Sequence, residues 1–150
     1  MAQPNPPPSI RDQRLVDEQH LKLLAIFHFI VAGLLFAGIG FLVLHFVFMN
    51  MIFSNPDIWK TSPNPPPPEV FAIFKFVYAF IAIFLISALV ANLLSGFYLG
   101  ARKNRLFSMM VAGLNCIQFP LGTVLGVLTI LVLVRDSVRE LYDEAGRREG

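Results

Sequence analysis

Residues 70–100 read VFAIFKFVYAFIAIFLISALVANLLSGFYLG, a run in which Lys75 is the only charged side chain. A helix of this length at the surface of a soluble protein would carry a polar face, and this run has none. At about 1.5 Å per residue it forms roughly 46 Å of helix, whereas a bilayer's hydrocarbon core is roughly 30 Å thick. The run therefore predicts a transmembrane helix, with Lys75 close enough to its start to snorkel back to the interface.

A second apolar run occupies residues 21–53, with His28, His45 and Asn50 as its main polar members. It predicts another transmembrane helix, again longer than one bilayer crossing requires. A short amphipathic helix capped by Ser9 is expected to lead into it. Residues 1–8 contain four prolines and no charge, which is typical of a disordered, solvated tail.

The segment between these spans, residues 54–69, changes to Asn, Pro, Asp, Ser and Thr and ends in the prolines 65–68. Consecutive prolines donate no backbone hydrogen bonds and favour polyproline II, so this Pro-rich loop is expected in water outside the membrane.

The third apolar run, residues 106–134, carries Pro120 and Gly122 at its centre. It forms either one kinked span or a helical hairpin that turns at residues 119–122. Basic residues concentrate on the cytoplasmic side of membrane proteins. With Lys75 set aside, a hairpin gives ten basic residues on one side against Lys60 on the other. We prefer the hairpin, although arms of about 14 residues reach only roughly 21 Å and need a sheltered, re-entrant position.

The C-terminal residues 135–150 place Val138, Leu141, Tyr142 and Ala145 on one helical face, with charges elsewhere. This spacing predicts an amphipathic helix, which we expect to lie on the cytoplasmic face of the membrane. The fold class is therefore all-α. Residues 9–134 are expected to form a single membrane domain, and both termini are expected in the cytoplasm.

Composition excludes several classes of protein. The chain is 55% hydrophobic and only 15% charged, and no acidic residue occurs in residues 19–56 or 70–135. A soluble domain of this size could not bury so much apolar surface. The net charge of +2, without basic residues interleaved with aromatics, gives no indication of nucleic-acid binding. The single cysteine, Cys116, cannot form a disulfide or a multi-thiolate metal site within one chain.

Histidines in the first span raise the question of haem or metal binding. His28 and His45 are 17 residues apart, which separates them by roughly 25 Å along a helix, so they cannot share one metal ion. We expect each to form hydrogen bonds with a neighbouring helix or a lipid headgroup, and we expect no cofactor. No nucleophile, base and acid set or phosphate-binding glycine loop is present, so an enzyme is not expected.

Buried amides and small residues are the remaining candidates for function. Asn92 and Asn115 need polar partners in a medium without water, and Gly122 with Gly126 forms a GxxxG pair that permits close helix packing. A similar small-residue spacing occurs at Gly33, Ala37 and Gly40. The candidate packing or pathway residues are Asn92, Asn115, Gln118, Pro120, Gly122, Thr123 and Gly126.

Two stretches of the chain carry a resemblance to known sequences. They are Asp17-Glu18-Gln19-His20-Leu21 with Ile26-Phe27-His28, and the elements of residues 112–142 around Asn115, Pro120 and Gly126. In these stretches the chain resembles an uncharacterised family of small bacterial multi-span inner-membrane proteins. The resemblance implies a multi-span protein of the bacterial inner membrane, and it does not indicate an activity.

Two functional hypotheses follow. The first is a non-enzymatic membrane protein that acts through helix packing, as a homo-oligomer or as a small subunit of a membrane assembly, with the lipid bilayer as its other partner. The alternative is a channel or transporter for an ion or small solute, with a pathway near Asn92, Asn115 and Pro120.

Overall fold

The computed structural model describes residues 10–60, 63–118 and 120–149. Every regular element in these ranges is a helix, which confirms the all-α class there. The predicted tail at residues 1–8, the cap at Ser9 and Phe119 in the predicted turn lie outside the described residues. The helices are α1 (Ile10–Ser54), α2 (Pro56–Trp59), α3 (Pro68–Ala101), α4 (Arg105–Asn115), α5 (Leu121–Leu133) and α6 (Asp136–Glu149).

Helices α1 and α3 are long and apolar enough to cross a membrane. The predicted amphipathic lead-in and the first span form one continuous helix, α1, because no proline or glycine interrupts residues 10–32. Helix α1 ends before Asn55, whose side chain accepts a hydrogen bond of 3.0 Å from the Asp57 backbone N–H and so caps α2.

Contacts between residues divide the chain into two compact units. The first unit combines the described residues of 1–31 with those of 91–150, and the second unit consists of the described residues of 32–90. Both units are built on α1 and α3. The single membrane domain over residues 9–134 stays a prediction.

The core of the first unit is formed by apolar side chains from all five of its helical segments. Helices α4 and α5 pack against each other, and Arg105 Nε at the start of α4 donates a 2.7 Å hydrogen bond to the carbonyl of Leu133 at the end of α5. The two helices therefore run antiparallel. Among the most deeply buried residues of this core are Leu21, Leu99, Ala112, Leu133 and Val138.

The apolar face of α6 is buried within the first unit. Val138 is fully buried, and Leu141 and Tyr142 are nearly so. On the side facing α1, Arg14 forms an ion pair of 3.0 Å with Glu144, and Ser137 donates a hydrogen bond to Asp17. The helix is amphipathic as expected, and side chains of the first unit cover its apolar face. Its expected position at the cytoplasmic face of the membrane stays a prediction.

The second unit has a different character, because none of its described residues is buried from Gly33 to Val90. Aromatic contacts join its segments of α1 and α3: the Phe53 ring centroid lies 5.0 Å from that of Phe71 and 5.1 Å from that of Phe74. The Phe46 ring centroid lies 5.3 Å from that of Tyr78. His45 hydrogen-bonds to the Tyr78 hydroxyl, which confirms the expected contact of that histidine with a neighbouring helix.

Candidate functional site

A cluster of four polar side chains lies inside the first unit, one from each of four helices. His28 on α1 and Thr129 on α5 have no exposed surface, and Asn92 on α3 and Asn115 on α4 are 1% exposed. The amides bond to each other twice: Asn92 Nδ2 donates to Asn115 Oδ1 at 3.1 Å, and Asn115 Nδ2 donates to Asn92 Oδ1 at 2.8 Å. We refer to these four residues as the polar cluster.

The hydrogen bonds of the polar cluster determine the tautomer of His28. His28 Nδ1 lies 3.0 Å from Asn92 Oδ1. That oxygen is an acceptor, as its bond from Asn115 also requires, so Nδ1 carries the proton. Nε2 of a neutral imidazole is then an acceptor, and the Thr129 hydroxyl, at a longer 3.4 Å, can donate to it. With a neutral His28, all four side chains therefore have hydrogen-bond partners and the cluster carries no net charge.

This arrangement can position four helices but leaves His28 poorly placed for ligand chemistry. Both ring nitrogens already face protein partners, on Asn92 and Thr129. Within the described ranges no group of three or more His, Cys, Asp or Glu residues is placed to hold a metal ion. The prediction that His28 bonds to a neighbouring helix is confirmed, as is the prediction that Asn92 and Asn115 are buried amides with polar partners.

The other predicted site residues lie at and after the turn between α4 and α5. The Gln118 carbonyl accepts the backbone N–H of Thr123 at 3.2 Å, and the Thr123 hydroxyl donates to the Cys116 carbonyl at 2.8 Å. Pro120 lies just before α5, where its missing N–H costs no helical hydrogen bond. These contacts close the turn locally, so this part of the predicted set is separate from the polar cluster.

Gly122 and Gly126 are used for packing within the chain. A Cβ atom on Gly126 would lie 2.3 Å from the Ala112 carbonyl oxygen and 2.6 Å from Cys116 Sγ, and one on Gly122 would lie 2.6 Å from the Asn115 carbonyl oxygen. Only glycine permits α4 and α5 to approach this closely. The GxxxG pair therefore serves the α4–α5 contact.

The glycines of the second unit are in the opposite situation. A Cβ added at Gly33 or Gly40 would meet no atom within 4 Å. Both residues are exposed, and so is Ala37 between them. We call Gly33, Ala37 and Gly40 the small-residue face. None of the three is buried by the described part of the chain.

Asp17 is a buried charged residue that sequence reasoning did not single out. Its side chain is 5% exposed; it accepts hydrogen bonds from Arg135 Nη1 at 3.1 Å and from Ser137 Oγ at 2.5 Å. These bonds join α1 to the start of α6 across more than a hundred residues of sequence, so no local sequence pattern predicts them. Thr129 was also missed, although it lies seven residues after Gly122 and three after Gly126, on the same helical face.

Comparison with known proteins identifies no relative of this chain. No family model, no curated protein and no solved structure matches the chain.

Proposed function

We propose that this protein is a non-enzymatic subunit of the bacterial inner membrane that acts by helix packing, either with further copies of itself or within a larger membrane assembly. The observation that carries this proposal is the small-residue face. Gly33, Ala37 and Gly40 lie on an apolar helix, are exposed, and two of them have open space where a Cβ would be. In lipid, close approach of backbones at small residues is a main source of helix association.

The contrast with α4 and α5 supports this assignment. Gly122 and Gly126 already have helix partners inside the chain, whereas the small-residue face has none among the described residues. Large apolar side chains flank that face and are also exposed, with Phe36 and Phe41 each at 70%. A helix of another chain placed there would bury these side chains together with the glycines.

The alternative of a solute pathway has less support. A pathway needs polar groups that water or the solute can reach, but Asn92 and Asn115 are 1% exposed and bond to each other. Their arrangement favours a role in fixing the positions of helices, since an interhelical polar contact contributes about 0.6–2 kcal/mol.

We further propose that α4 and α5 form a re-entrant hairpin and that both termini are cytoplasmic. At about 1.5 Å per residue the two helices are roughly 16 and 20 Å long, each too short for a hydrocarbon core of roughly 30 Å. The hydrogen bond from Arg105 to Leu133 joins the ends of the pair at which the basic residues occur. This supports the arrangement with ten basic residues on one side.

Association through the small-residue face is tested by measuring the mass of the purified protein in mild detergent. We expect an assembly of two or more copies, or a complex with a second membrane protein. Replacing Gly33 or Gly40 by Ile should weaken that association at least tenfold, or about 1.4 kcal/mol.

The matched control for these variants is Gly113→Ile on α4, because Gly113 also has open space at its Cβ position but lies outside the small-residue face. It should leave association unchanged. A monomeric wild-type protein that retains no partner would contradict the proposal, and so would equal effects of the three substitutions.

A further inference from the structure

A basic cleft lies where the turn after α3 faces α6, inside the first unit. Its volume is about 530 Å³. Four basic side chains line it against one acidic side chain, Asp143, so its charge is strongly positive. The basic residues are Arg102, Lys103, Arg105 and Arg139.

Tyr142 is a lining residue of this cleft whose hydroxyl has no hydrogen-bond partner among the described residues. The side chain lines the cleft and is 8% exposed, and its hydroxyl is buried without a hydrogen bond. Burial raises the pKa of Tyr142 to about 12, while the positive charges of Arg105 and Arg102 act in the opposite direction. The phenol therefore keeps its proton at neutral pH. Buried hydroxyls in stable folds nearly always have a partner, so this one indicates a missing acceptor.

Two of the arginines in the cleft are held in position by contacts that use only part of their donor capacity. Arg102 Nη2 lies 3.1 Å from Glu18 Oε1, and Arg105 donates through Nε to the Leu133 carbonyl. A guanidinium has five N–H donors in a planar fork that suits phosphate oxygens. The remaining donors of both groups are available in a geometry that the protein has already fixed.

The apolar part of the lining indicates which phosphate compound fits. Leu106 and Met109 line the same cleft, and Leu106 is 71% exposed. The cleft also begins directly after Ala101, where the apolar helix α3 ends. Basic donors beside exposed apolar side chains at the end of a membrane-spanning helix match an amphiphile with an anionic headgroup.

We propose that this cleft binds the phosphate group of an anionic phospholipid, with the arginines and the Tyr142 hydroxyl as donors and with Leu106 against the acyl chains. The proposal does not depend on the small-residue face or on the oligomeric state.

Native mass spectrometry of the full chain in a neutral detergent tests the proposal. Three probes are titrated separately: short-chain phosphatidylglycerol, short-chain phosphatidylcholine and inorganic phosphate. We expect one phosphatidylglycerol to bind with higher affinity than the other two probes. Arg139→Gln should weaken its binding about fivefold, the contribution of one basic residue near an anionic lipid.

Two further variants separate binding from folding. Arg147→Gln removes a charge from the same helix, outside the lining of the cleft, and should leave the affinity unchanged. Tyr142→Phe should weaken binding without lowering the unfolding midpoint of the lipid-free protein, because the hydroxyl has no protein partner to lose. Equal affinities for phosphatidylglycerol and phosphatidylcholine would overturn the proposal, as would equal effects of Arg139→Gln and Arg147→Gln. Inorganic phosphate bound as tightly as phosphatidylglycerol would overturn the assignment to a lipid.

Discussion

Replacing the two amides of the polar cluster, singly and together, tests whether they stabilise the fold as one unit. Asn115→Leu removes the hydrogen bonds of 3.1 and 2.8 Å to Asn92 and leaves the Asn92 Nδ2 donor without that partner. Each of these two interhelical bonds contributes about 0.6–1.7 kcal/mol. The free energy of unfolding should therefore fall by about 1–3 kcal/mol.

Asn92→Leu should be more damaging than Asn115→Leu, because it also removes the 3.0 Å partner of His28 Nδ1. In the double variant two apolar side chains face each other and no amide is left unpaired. Its cost should be close to that of Asn92→Leu alone, so the two single effects fail to add by about 2 kcal/mol.

The free energies are measured by denaturant titration in mixed micelles, with the opened fraction read from a short pulse of protease. Asn50→Leu is the matched control, because Asn50 is exposed in the second unit, and it should change stability by less than about 0.5 kcal/mol. Additive effects of Asn92→Leu and Asn115→Leu, or single effects no larger than the control, would refute the reasoning.

Three other predictions concern packing, charge and pH. Gly126→Ala should lower the free energy of unfolding by about 1–3 kcal/mol through overpacking against Ala112 and Cys116, whereas Gly33→Ala should change that of a single chain by less than about 0.5 kcal/mol. The same denaturant titration compares the two variants. Equal costs would contradict the assignment of Gly126 to packing within the chain and of Gly33 to an open face. Asp17→Ala should lower the free energy of unfolding by about 1–3 kcal/mol, because it leaves Ser137 without its buried acceptor. Arg14→Gln breaks a solvent-exposed ion pair with Glu144 and should cost less than about 1 kcal/mol. The reverse order of these two costs would count against this account of α6. Because its pKa is raised to about 12, the Tyr142 phenol stays neutral in the folded chain at pH values at which it ionises in the unfolded chain. Its contribution to stability is therefore present below pH 10.0 and is lost as the pH rises to about 12. Tyr142→Phe should remove that loss from the pH dependence of unfolding, and an unchanged profile would contradict the raised pKa.

Hydrophobicity and prolines made the long helices predictable. The predicted spans at residues 21–53 and 70–100 lie within α1 and α3, because apolar runs of about thirty residues with a single lysine near the start have few alternatives to a membrane helix. The division at residue 21 between a lead-in helix and the first span was not correct, because nothing in the chain breaks the helix there. The capping pattern at Ser9 marks where a helix begins and says nothing about where it ends.

The features that the sequence did not predict depend on contacts between residues far apart in the chain. The spacing of Val138 and Leu141 predicts an apolar face, but not that the first unit covers it, because Ser137 meets Asp17 only after the chain has folded. In the polar cluster the two asparagines were evident, since amides are rare at membrane depth. Thr129 was not, because a threonine hydroxyl in a helix commonly bonds to a carbonyl of its own helix and needs no distant partner.

The course of residues 106–134 through the membrane is tested most directly by cysteine labelling in intact bacterial cells. With Cys116 replaced by Ala, a single cysteine is placed at Gly146, where a side chain meets open space, or at Lys60 in the exposed loop as the reference. A hairpin predicts that a membrane-impermeant maleimide labels Lys60→Cys in intact cells but labels Gly146→Cys only after the membrane is permeabilised. Equal labelling of both positions in intact cells would contradict the hairpin and the cytoplasmic position of the C-terminus.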